Sequence, residues 1–249
     1  KEIRHYKKNH PYPTSPLIRG RSKEGVYPIF HADAVQAVNY LDINTERLGV
    51  DLLSLSGSKI KGAVGVGILY KRKKVKIANV FGGGDQEVGL RPGTENLPGI
   101  IKFSDALKSA QKIKEKEAKR LTKLRDYFFE KLQEMSRMPL DTRLILNGDL
   151  ENRLPNNVNI TFPKIPSDLL VIKLSAKGIM ASSKSACKSS SSEGSYVIKA
   201  IRKNIQGKAL QDEMGGVRFS LGGNTTKRDI DYTIKVLSKI LTKLKKWYN

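Results

Sequence analysis

A lysine occupies the last position of the turn Ser56-Gly57-Ser58-Lys59, directly after the apolar run VDLLSL of residues 50–55. That run predicts a strand, and open α/β sheets bind their ligands at the carboxyl ends of such strands. Two hydroxyls beside a glycine suit a phosphate group, and a lysine amine at this place could form an imine. The glycine spacing of a Walker loop is missing, so the lysine is not expected to bind a nucleotide. An ordinary polar turn is the alternative for this segment alone.

Asp33 and Gln36 come at the end of another predicted strand, which starts near Tyr27. We expect Asp33 to point toward the same edge of the sheet, where a buried carboxylate needs a cationic partner. The protonated nitrogen of a pyridine ring would meet that need, as it does in pyridoxal phosphate sites. Gln36 could then donate a hydrogen bond to the phenolic oxygen of the ring. The alternative for Asp33 is an ordinary helix N-cap.

The single cysteine of the chain, Cys187, lies in a segment that holds seven serines between residues 182 and 192. Such a segment cannot bury itself, and it predicts a mobile surface loop. Lys184 and Lys188 flank the thiol in sequence and favour the nucleophilic thiolate. The pattern indicates transfer of sulfur or of an acyl group, with an incidental exposed cysteine as the alternative.

Arg218 lies within the alternating run VRFSL of residues 217–221, which predicts a strand. A guanidinium held on a strand is well placed to bind a carboxylate through two parallel hydrogen bonds. An exposed strand arginine without that role is the alternative.

Further elements are predicted between these residues. A third strand is expected for residues 65–70, and the five glycines within residues 81–94 predict a loop. An apolar repeat of helical period then runs from residue 98 to about residue 135. This repeat predicts one long helix, or two helices stacked in line, between two parts of the molecule.

The remaining sequence alternates short predicted strands and helices. Thr226 and Asp229 form the pattern of a capping box, which opens a last predicted helix over residues 227–246. The order of elements predicts an α/β protein with two domains. We expect the C-terminal part of a large α/β domain over residues 1–107 and a smaller α+β domain over residues 108–249.

Composition excludes several classes of protein. The 249 residues carry 46 Lys and Arg against 24 Asp and Glu, a formal net charge of +22 that raises the question of nucleic-acid binding. The lysines of residues 108–123 alternate with glutamates at helical spacing, and no aromatic stacking surface accompanies them, so we expect no nucleic-acid partner.

No apolar run is long enough for a membrane helix. One cysteine and three histidines exclude a disulfide framework and argue against a metal site, and we expect a cytoplasmic protein.

Six stretches together resemble one family in their order and spacing. They are HADAVQA (31–37), GVDLLSLSGSK (49–59), GVGILY (65–70), GGGDQEVGLRPGTENLPGI (82–100), SSKSAC (182–187) and VRFSLG (217–222). The chain resembles the cysteine desulfurases, pyridoxal-phosphate-dependent enzymes related to the class V aminotransferases. The spacing after Cys187 is similar to that of their long-loop branch. The resemblance implies the PLP-dependent transferase fold type I, as a partial large sheet domain plus a smaller α+β C-terminal domain.

The resemblance also implies roles for the residues that hold the cofactor. Lys59 matches the lysine that carries pyridoxal 5'-phosphate covalently. Asp33 matches the carboxylate that faces the pyridine nitrogen, and Gln36 matches the donor to the ring oxygen. Ser56 matches a phosphate ligand, and Thr94 matches a threonine that reaches the phosphate bound by the partner subunit of a homodimer.

Substrate chemistry is implied in the same way. Arg218 matches the residue that binds the carboxylate of L-cysteine. Cys187 matches the nucleophile that takes the sulfur as a persulfide while L-alanine is released. The family passes this sulfur to an iron–sulfur scaffold protein or to another acceptor protein.

The chain also departs from the family pattern. Ser58 stands where the family has a histidine, which shortens or removes one contact to the phosphate. Family members extend further at the amino end, so we expect an amino-terminally truncated chain that binds the cofactor poorly by itself. The alternatives are a selenocysteine lyase or another class V enzyme, a non-catalytic binding fragment, and a basic nucleic-acid-binding protein.

Overall fold

The computed structural model describes residues 28–137, 144–163, 165–183, 196–202 and 215–248. The chain divides into two compact units, the first ending at Lys114 and the second beginning at Glu115. The boundary falls within a long helix, and the domain boundary proposed from the sequence, after residue 107, lies in the same helix.

The first unit contains a three-stranded sheet in the order β1-β2-β3. Strand β1 is His31–Asp33, β2 is Leu52–Ser56 and β3 is Gly67–Lys71. Strands β1 and β2 run parallel with Asp33 opposite Ser54, whereas β2 and β3 run antiparallel. His31–Asp33, at the end of the strand predicted to start near Tyr27, therefore form the strand itself, because pairing with β2 extends over these residues.

Short turns and one short helix connect β1 to β2. A 3₁₀ turn covers Ala37–Asn39, and helix α1 covers Thr45–Leu48. The side chain of Asn44 accepts a hydrogen bond from the amide of Arg47, which is the N-cap interaction expected of asparagine. These connections return the chain from the carboxyl end of β1 to the start of β2, as the parallel pairing of the two strands requires.

The core of the first unit lies between β2, the turns at both strand ends and the start of the long helix. It consists of buried apolar side chains: Ala34, Val38, Val50, Leu53, Leu55, Ile60 and Phe103. Gly57, at the start of the turn that carries Lys59, is packed into this core. A Cβ atom there would lie 2.4 Å from the carbonyl oxygen of Ala63 and 2.8 Å from Cδ2 of Phe103. Only glycine fits this position without a shift of the backbone.

We expect Gly57→Ala to lower the free energy of unfolding by about 1–3 kcal/mol, the usual cost of overpacking a filled core. Gly82→Ala is the matched control, because no described atom lies within 4 Å of the Cβ position of Gly82. Urea unfolding followed by circular dichroism measures both variants. Equal stability of the two variants would contradict the close packing assigned to Gly57.

Helix α2 covers Leu97–Arg137, 41 residues, as one uninterrupted helix. The helical repeat predicted from residue 98 to about residue 135 is confirmed, and of its two forms the single helix is correct. No proline or glycine follows Gly99 within the helix, so nothing in the sequence breaks it. Within the described residues, no helix is both long and apolar enough to cross a membrane.

The second unit contains a three-stranded antiparallel sheet in the order β4-β5-β6. Its elements, after the end of α2, are β4 (Ile145–Leu146), β5 (Asn157–Thr161), α3 (Ser167–Ser175), α4 (Tyr196–Arg202), β6 (Val217–Ser220) and α5 (Lys227–Tyr248). Phe128 of α2 and Phe219 of β6 meet edge to face with their ring centroids 5.2 Å apart. The strand predicted over residues 217–221 and the helix predicted over residues 227–246 are confirmed as β6 and α5, with bounds that differ by at most two residues.

The predicted capping box at the start of α5 is confirmed. The amide of Thr226 donates to the carboxylate of Asp229 at 2.8 Å, and the amide of Asp229 donates to the hydroxyl of Thr226 at 3.4 Å. The hydrogen bond from the Thr226 amide is the main reason that the pKa of Asp229 lies below its usual value. A charged Asp229 thus stabilises the first turn of α5.

Candidate functional site

The first group of candidate residues lies at one edge of the β1-β2-β3 sheet. Because β1 and β2 run parallel, their carboxyl ends meet at the same edge. Asp33 is the last residue of β1, and Lys59 lies in the 3₁₀ turn Gly57–Ile60 directly after β2. The structure therefore places Asp33 and the turn that carries Lys59 at the same edge of the sheet, as the sequence predicts.

Hydrogen bonds fix the backbone of the lysine turn. Nδ2 of Asn39 donates to the carbonyl oxygen of Lys59 at 2.9 Å, which ties the turn after β1 to the turn after β2. The hydroxyls of Ser56 and Ser58 are hydrogen bonded to each other at 3.1 Å. The side chain of Lys59 is exposed, so its amine is accessible while its backbone is held. Asn39 was not among the predicted residues, since a bond to a distant carbonyl leaves no pattern in the sequence.

Asp33 is exposed rather than buried, which corrects the expectation of a buried carboxylate. Its Oδ1 accepts a hydrogen bond from the amide of Val35 at 3.0 Å. Gln36 follows in the same turn with an exposed side chain. On the strand itself, Nε2 of His31 lies 2.8 Å from the hydroxyl of Ser54 on β2. The turn therefore holds the Asp33 carboxylate by a backbone contact and leaves it open to solvent.

Thr94 lies in the glycine-rich loop between β3 and α2, and its side chain is exposed. The predicted loop over residues 81–94 is confirmed, since it contains neither helix nor strand. Oε1 of Gln86 accepts a hydrogen bond from the amide of Gly93 at 3.0 Å and so fixes the backbone next to Thr94. Gln86 thus positions the loop, although its role was not predicted from the sequence.

The polar groups at this edge fit pyridoxal phosphate. The carboxylate of Asp33 suits a protonated pyridine nitrogen, the hydroxyls of Ser56 and Ser58 suit a phosphate, and the amine of Lys59 suits an aldehyde. The absence of a Cβ at Gly57 lets the backbone of the turn pack onto the core and present these groups outward. The residues present therefore match the polar ends of the cofactor in chemical type.

The second group of candidate residues lies in the second unit, around Arg218 on β6. A cavity of about 320 Å³ is lined by Arg218 together with asparagines, serines and part of α4. Arg218 lies opposite Asn159 of β5, and antiparallel partners present their side chains on the same face. Among the described residues, Nε of Arg218 is a buried donor without a hydrogen-bond partner. A buried cationic donor that faces a cavity is suited to an anion such as a carboxylate.

One wall of this cavity is held by a second arginine. Nε of Arg153 donates to the carbonyl oxygen of Asp149 at 2.5 Å, and its terminal nitrogens donate to the carbonyls of Asn147 and Asn157. The guanidinium also lies over the ring of Phe129, 5.0 Å from the centroid. Burial is the largest cause that lowers the pKa of Arg153 from its usual value. Arg153 donates its hydrogen bonds to backbone carbonyls, so it shapes the wall of the cavity rather than binding a ligand.

The carboxylate of Asp149, on the same wall, is also held by backbone groups. The amides of Asn152 and Glu151 donate to it, each at 2.7 Å, and these bonds keep the pKa of Asp149 below its usual value. The carboxylate therefore stays charged near neutral pH and acts as an anchor for the turn.

Cys187 lies outside the described residues, as does the serine-rich segment around it. The described residues on both sides of that segment line the cavity of Arg218. Ser182 pairs with Arg218 through two backbone hydrogen bonds of 3.0 and 2.7 Å. Val197 and Ile198 of α4 line the cavity from the other side. The described residues before and after the segment that carries Cys187 thus both line this cavity.

No cluster of three or more His, Cys, Asp or Glu side chains suited to a metal ion occurs in the ranges that the structure describes. The described candidate residues form two separate groups. The first unit holds Asp33, Gln36, Ser56, Ser58, Lys59 and Thr94, and the second unit holds Arg218.

Comparison with known proteins defines the family. The family described as aminotransferase class-V matches residues 17–233, which is more than half of the chain. The chain belongs to the class-V aminotransferase family.

Relatives within this family are cysteine desulfurases. The chain is 43% identical over 216 residues to the cysteine desulfurase IscS of Dictyoglomus turgidum, covering 87% of this chain and 52% of that protein. It is 42% identical over 216 residues to the cysteine desulfurase IscS of Methanosarcina thermophila, covering 87% and 51%. The resemblance drawn from the six motifs is confirmed by these relatives. The chain spans about half the length of the curated relatives that it matches.

A solved structure supports the fold. The structure of a NifS-like protein superposes with a TM-score of 0.73 at 32% identity, covering 88% of this chain and 53% of that one. This likeness confirms the predicted α/β fold class, as a partial fold type I architecture.

Proposed function

We propose that this chain is part of a cysteine desulfurase, which takes sulfur from L-cysteine and leaves L-alanine. The proposal rests above all on one observation: Lys59 lies exposed in a fixed turn at the sheet edge where Asp33 ends the neighbouring parallel strand. The family match and the desulfurase relatives support it independently.

The residues of the sheet edge would hold pyridoxal phosphate. Lys59 would bind its aldehyde carbon, Asp33 would keep the pyridine nitrogen protonated, and Ser56, Ser58 and Gln36 would donate to its oxygens. When bound, the cofactor supplies an electron sink for the electron pair released at the α-carbon of the substrate. Thr94 would donate to the phosphate held by a second subunit.

The second unit would bind and process the substrate. Arg218 would hold the carboxylate of L-cysteine, and its unpartnered Nε is the observation that supports this role. The thiolate of Cys187 would attack the substrate sulfur: a sulfur–sulfur bond forms on Cys187 as the carbon–sulfur bond of the substrate breaks. The described residues on both sides of Cys187 in sequence line the Arg218 cavity, which supports this step.

We further propose that the protein acts as a homodimer that passes its sulfur to an iron–sulfur scaffold or another acceptor protein. Large apolar side chains near the Thr94 loop support a dimer, because Phe81 is 60% exposed and Val88 is 96% exposed. We also propose that the protein is located in the cytoplasm, because a chain with a single cysteine cannot form an internal disulfide.

Release of alanine tests this function. The complete protein that contains this chain is incubated with pyridoxal phosphate, L-cysteine and a reducing thiol, and alanine and sulfide are measured together. We expect one alanine for each sulfide. Cofactor binding without any alanine would contradict the proposed reaction, and faster turnover of L-selenocysteine would make the protein a selenocysteine lyase.

Replacement of Arg218 by lysine tests the substrate cavity. Lysine keeps the charge but cannot form two parallel hydrogen bonds, so we expect KM for L-cysteine to rise about tenfold or more with a smaller change in kcat. Arg228→Lys, in the exposed first turn of α5, is the control and should leave KM unchanged. An unchanged KM in Arg218→Lys would remove Arg218 from the substrate site.

A further inference from the structure

A groove of about 810 Å³ crosses the second unit between helix α5 and the turn that follows α3. Lysines dominate its polar lining: Lys177 on the turn, and Lys235, Lys239 and Lys243 on α5. All four side chains are exposed. The groove is separate from the residues that line the Arg218 cavity. It is therefore a second surface, which the proposed desulfurase reaction does not use.

The three lysines of α5 form one row on the helix surface, inclined to the helix axis. They recur every four residues, and at 1.5 Å of rise per residue successive side chains lie about 6 Å apart along the helix. The buried side chains of Val236 and Ile240 close the groove beneath them. The hydroxyl of Tyr232 donates to the carbonyl oxygen of Lys177 at 3.1 Å and joins the two walls. The lysine row thus lies on a helix that is packed against the rest of the unit and bonded to the turn after α3.

The charge of this row is not neutralised within the groove. Within the part of the chain that the structure describes, no Asp or Glu lines the groove and no ion pair engages any of its four lysines. Asp231, one turn before Lys235, accepts a hydrogen bond from Tyr127 of α2 instead. Four like charges around one concave surface repel one another, and an anionic partner would relieve that repulsion.

We propose that the groove binds an acidic helical segment of a partner protein. Carboxylates at positions i, i+4 and i+8 of a helix have the same interval of about 6 Å as the three lysines, so the two rows can face each other along their length. A nucleic-acid strand fits less well. Single-stranded sites stack successive bases on aromatic side chains, and this groove offers only Tyr232 among the described residues.

Helix α2 provides a matched control for the lysine row. Lys108, Lys112 and Lys116 have the same four-residue spacing and are all exposed. Asp105 lies 4.0 Å from Lys108, and Glu115 and Glu117 interrupt the row in sequence. Replacing either trio by glutamine removes the same charge from the protein. Any difference between the two triple variants therefore reports the groove and not the net charge.

The experiment measures binding of a fluorescein-labelled, alanine-based helical peptide with glutamates at i, i+4 and i+8, by anisotropy at low salt. The full chain should bind it, and binding should weaken as salt is added. An exposed ion pair changes binding by roughly twofold, so K235Q/K239Q/K243Q should weaken binding about tenfold. K108Q/K112Q/K116Q should change it less than about twofold.

A charge exchange makes the test independent of any loss of folding. K235E/K239E/K243E should gain binding to a second peptide in which the glutamates are replaced by lysines. Absence of peptide binding by the unaltered chain would overturn the proposal, as would equal losses in the two glutamine variants. Tighter binding of a single-stranded oligothymidylate, lost only in K235Q/K239Q/K243Q, would assign the groove to nucleic acid and overturn it as well. The test reads neither alanine nor sulfide, so its outcome is independent of the proposed reaction.

Discussion

In the complete protein that contains this chain, Lys59→Ala should abolish the absorbance band acquired with pyridoxal phosphate. Within the turn Gly57–Ile60, the amine of Lys59 is the only group that can form an imine with the aldehyde carbon, whereas the serine hydroxyls can make only noncovalent contacts. We expect complete loss of the band, with residual cofactor removed by dialysis.

Lys61→Ala is the matched control for this variant. Lys61 is an exposed lysine that directly follows the same turn. Its φ is 58°, and alanine fits this backbone conformation as well as lysine does, since both carry a Cβ atom. The control should retain the band. Retention of the band in Lys59→Ala, or its loss in both variants with intact circular dichroism, would contradict the assignment of Lys59.

Cys187→Ser should retain the cofactor band and lose persulfide formation. A serine hydroxyl is far less nucleophilic than a thiolate at neutral pH, and its bond to sulfur would not carry sulfur onward as a persulfide. We expect the sulfur bound to protein after incubation with L-cysteine to fall below detection by persulfide labelling and mass spectrometry.

Ser185→Ala, in the same serine-rich segment, is the control for Cys187→Ser. It should form persulfide as the unaltered chain does. If Cys187→Ser still passed sulfur to an acceptor protein while Ser185→Ala did not, the nucleophile would have to be sought elsewhere. The two large effects, at Lys59 and at Cys187, therefore separate cofactor attachment from sulfur transfer.

The long helices were predictable because their apolar residues repeat with helical period over many turns. The pattern that begins near residue 98 became α2, and Thr226 with Asp229 correctly indicated the start of α5. Strand bounds were less accurate. Three-residue β1 is defined by its pairing with β2, and pairing partners far apart in sequence leave no local signal.

The candidate site was predictable in its residue types and only partly in its environment. Lys59 and Asp33 lie at one sheet edge as expected, but Asp33 is exposed because it lies, like His31, on the open face of β1. Contacts that pass from side chains to distant carbonyls were missed entirely. Arg120 shows why: it donates to the carbonyl oxygens of Gly222, Gly223 and Thr225, about 100 residues away, and no spacing rule predicts such contacts.

The most direct measurement of the central claim is reduction with borohydride in the presence of pyridoxal phosphate, followed by proteolysis and mass spectrometry. Reduction makes the bond between the cofactor and its lysine permanent. If the site is as described, the pyridoxyl group is found on the peptide that contains Lys59. A pyridoxyl group on any other lysine, or on none, would contradict the assignment of this sheet edge as the cofactor site.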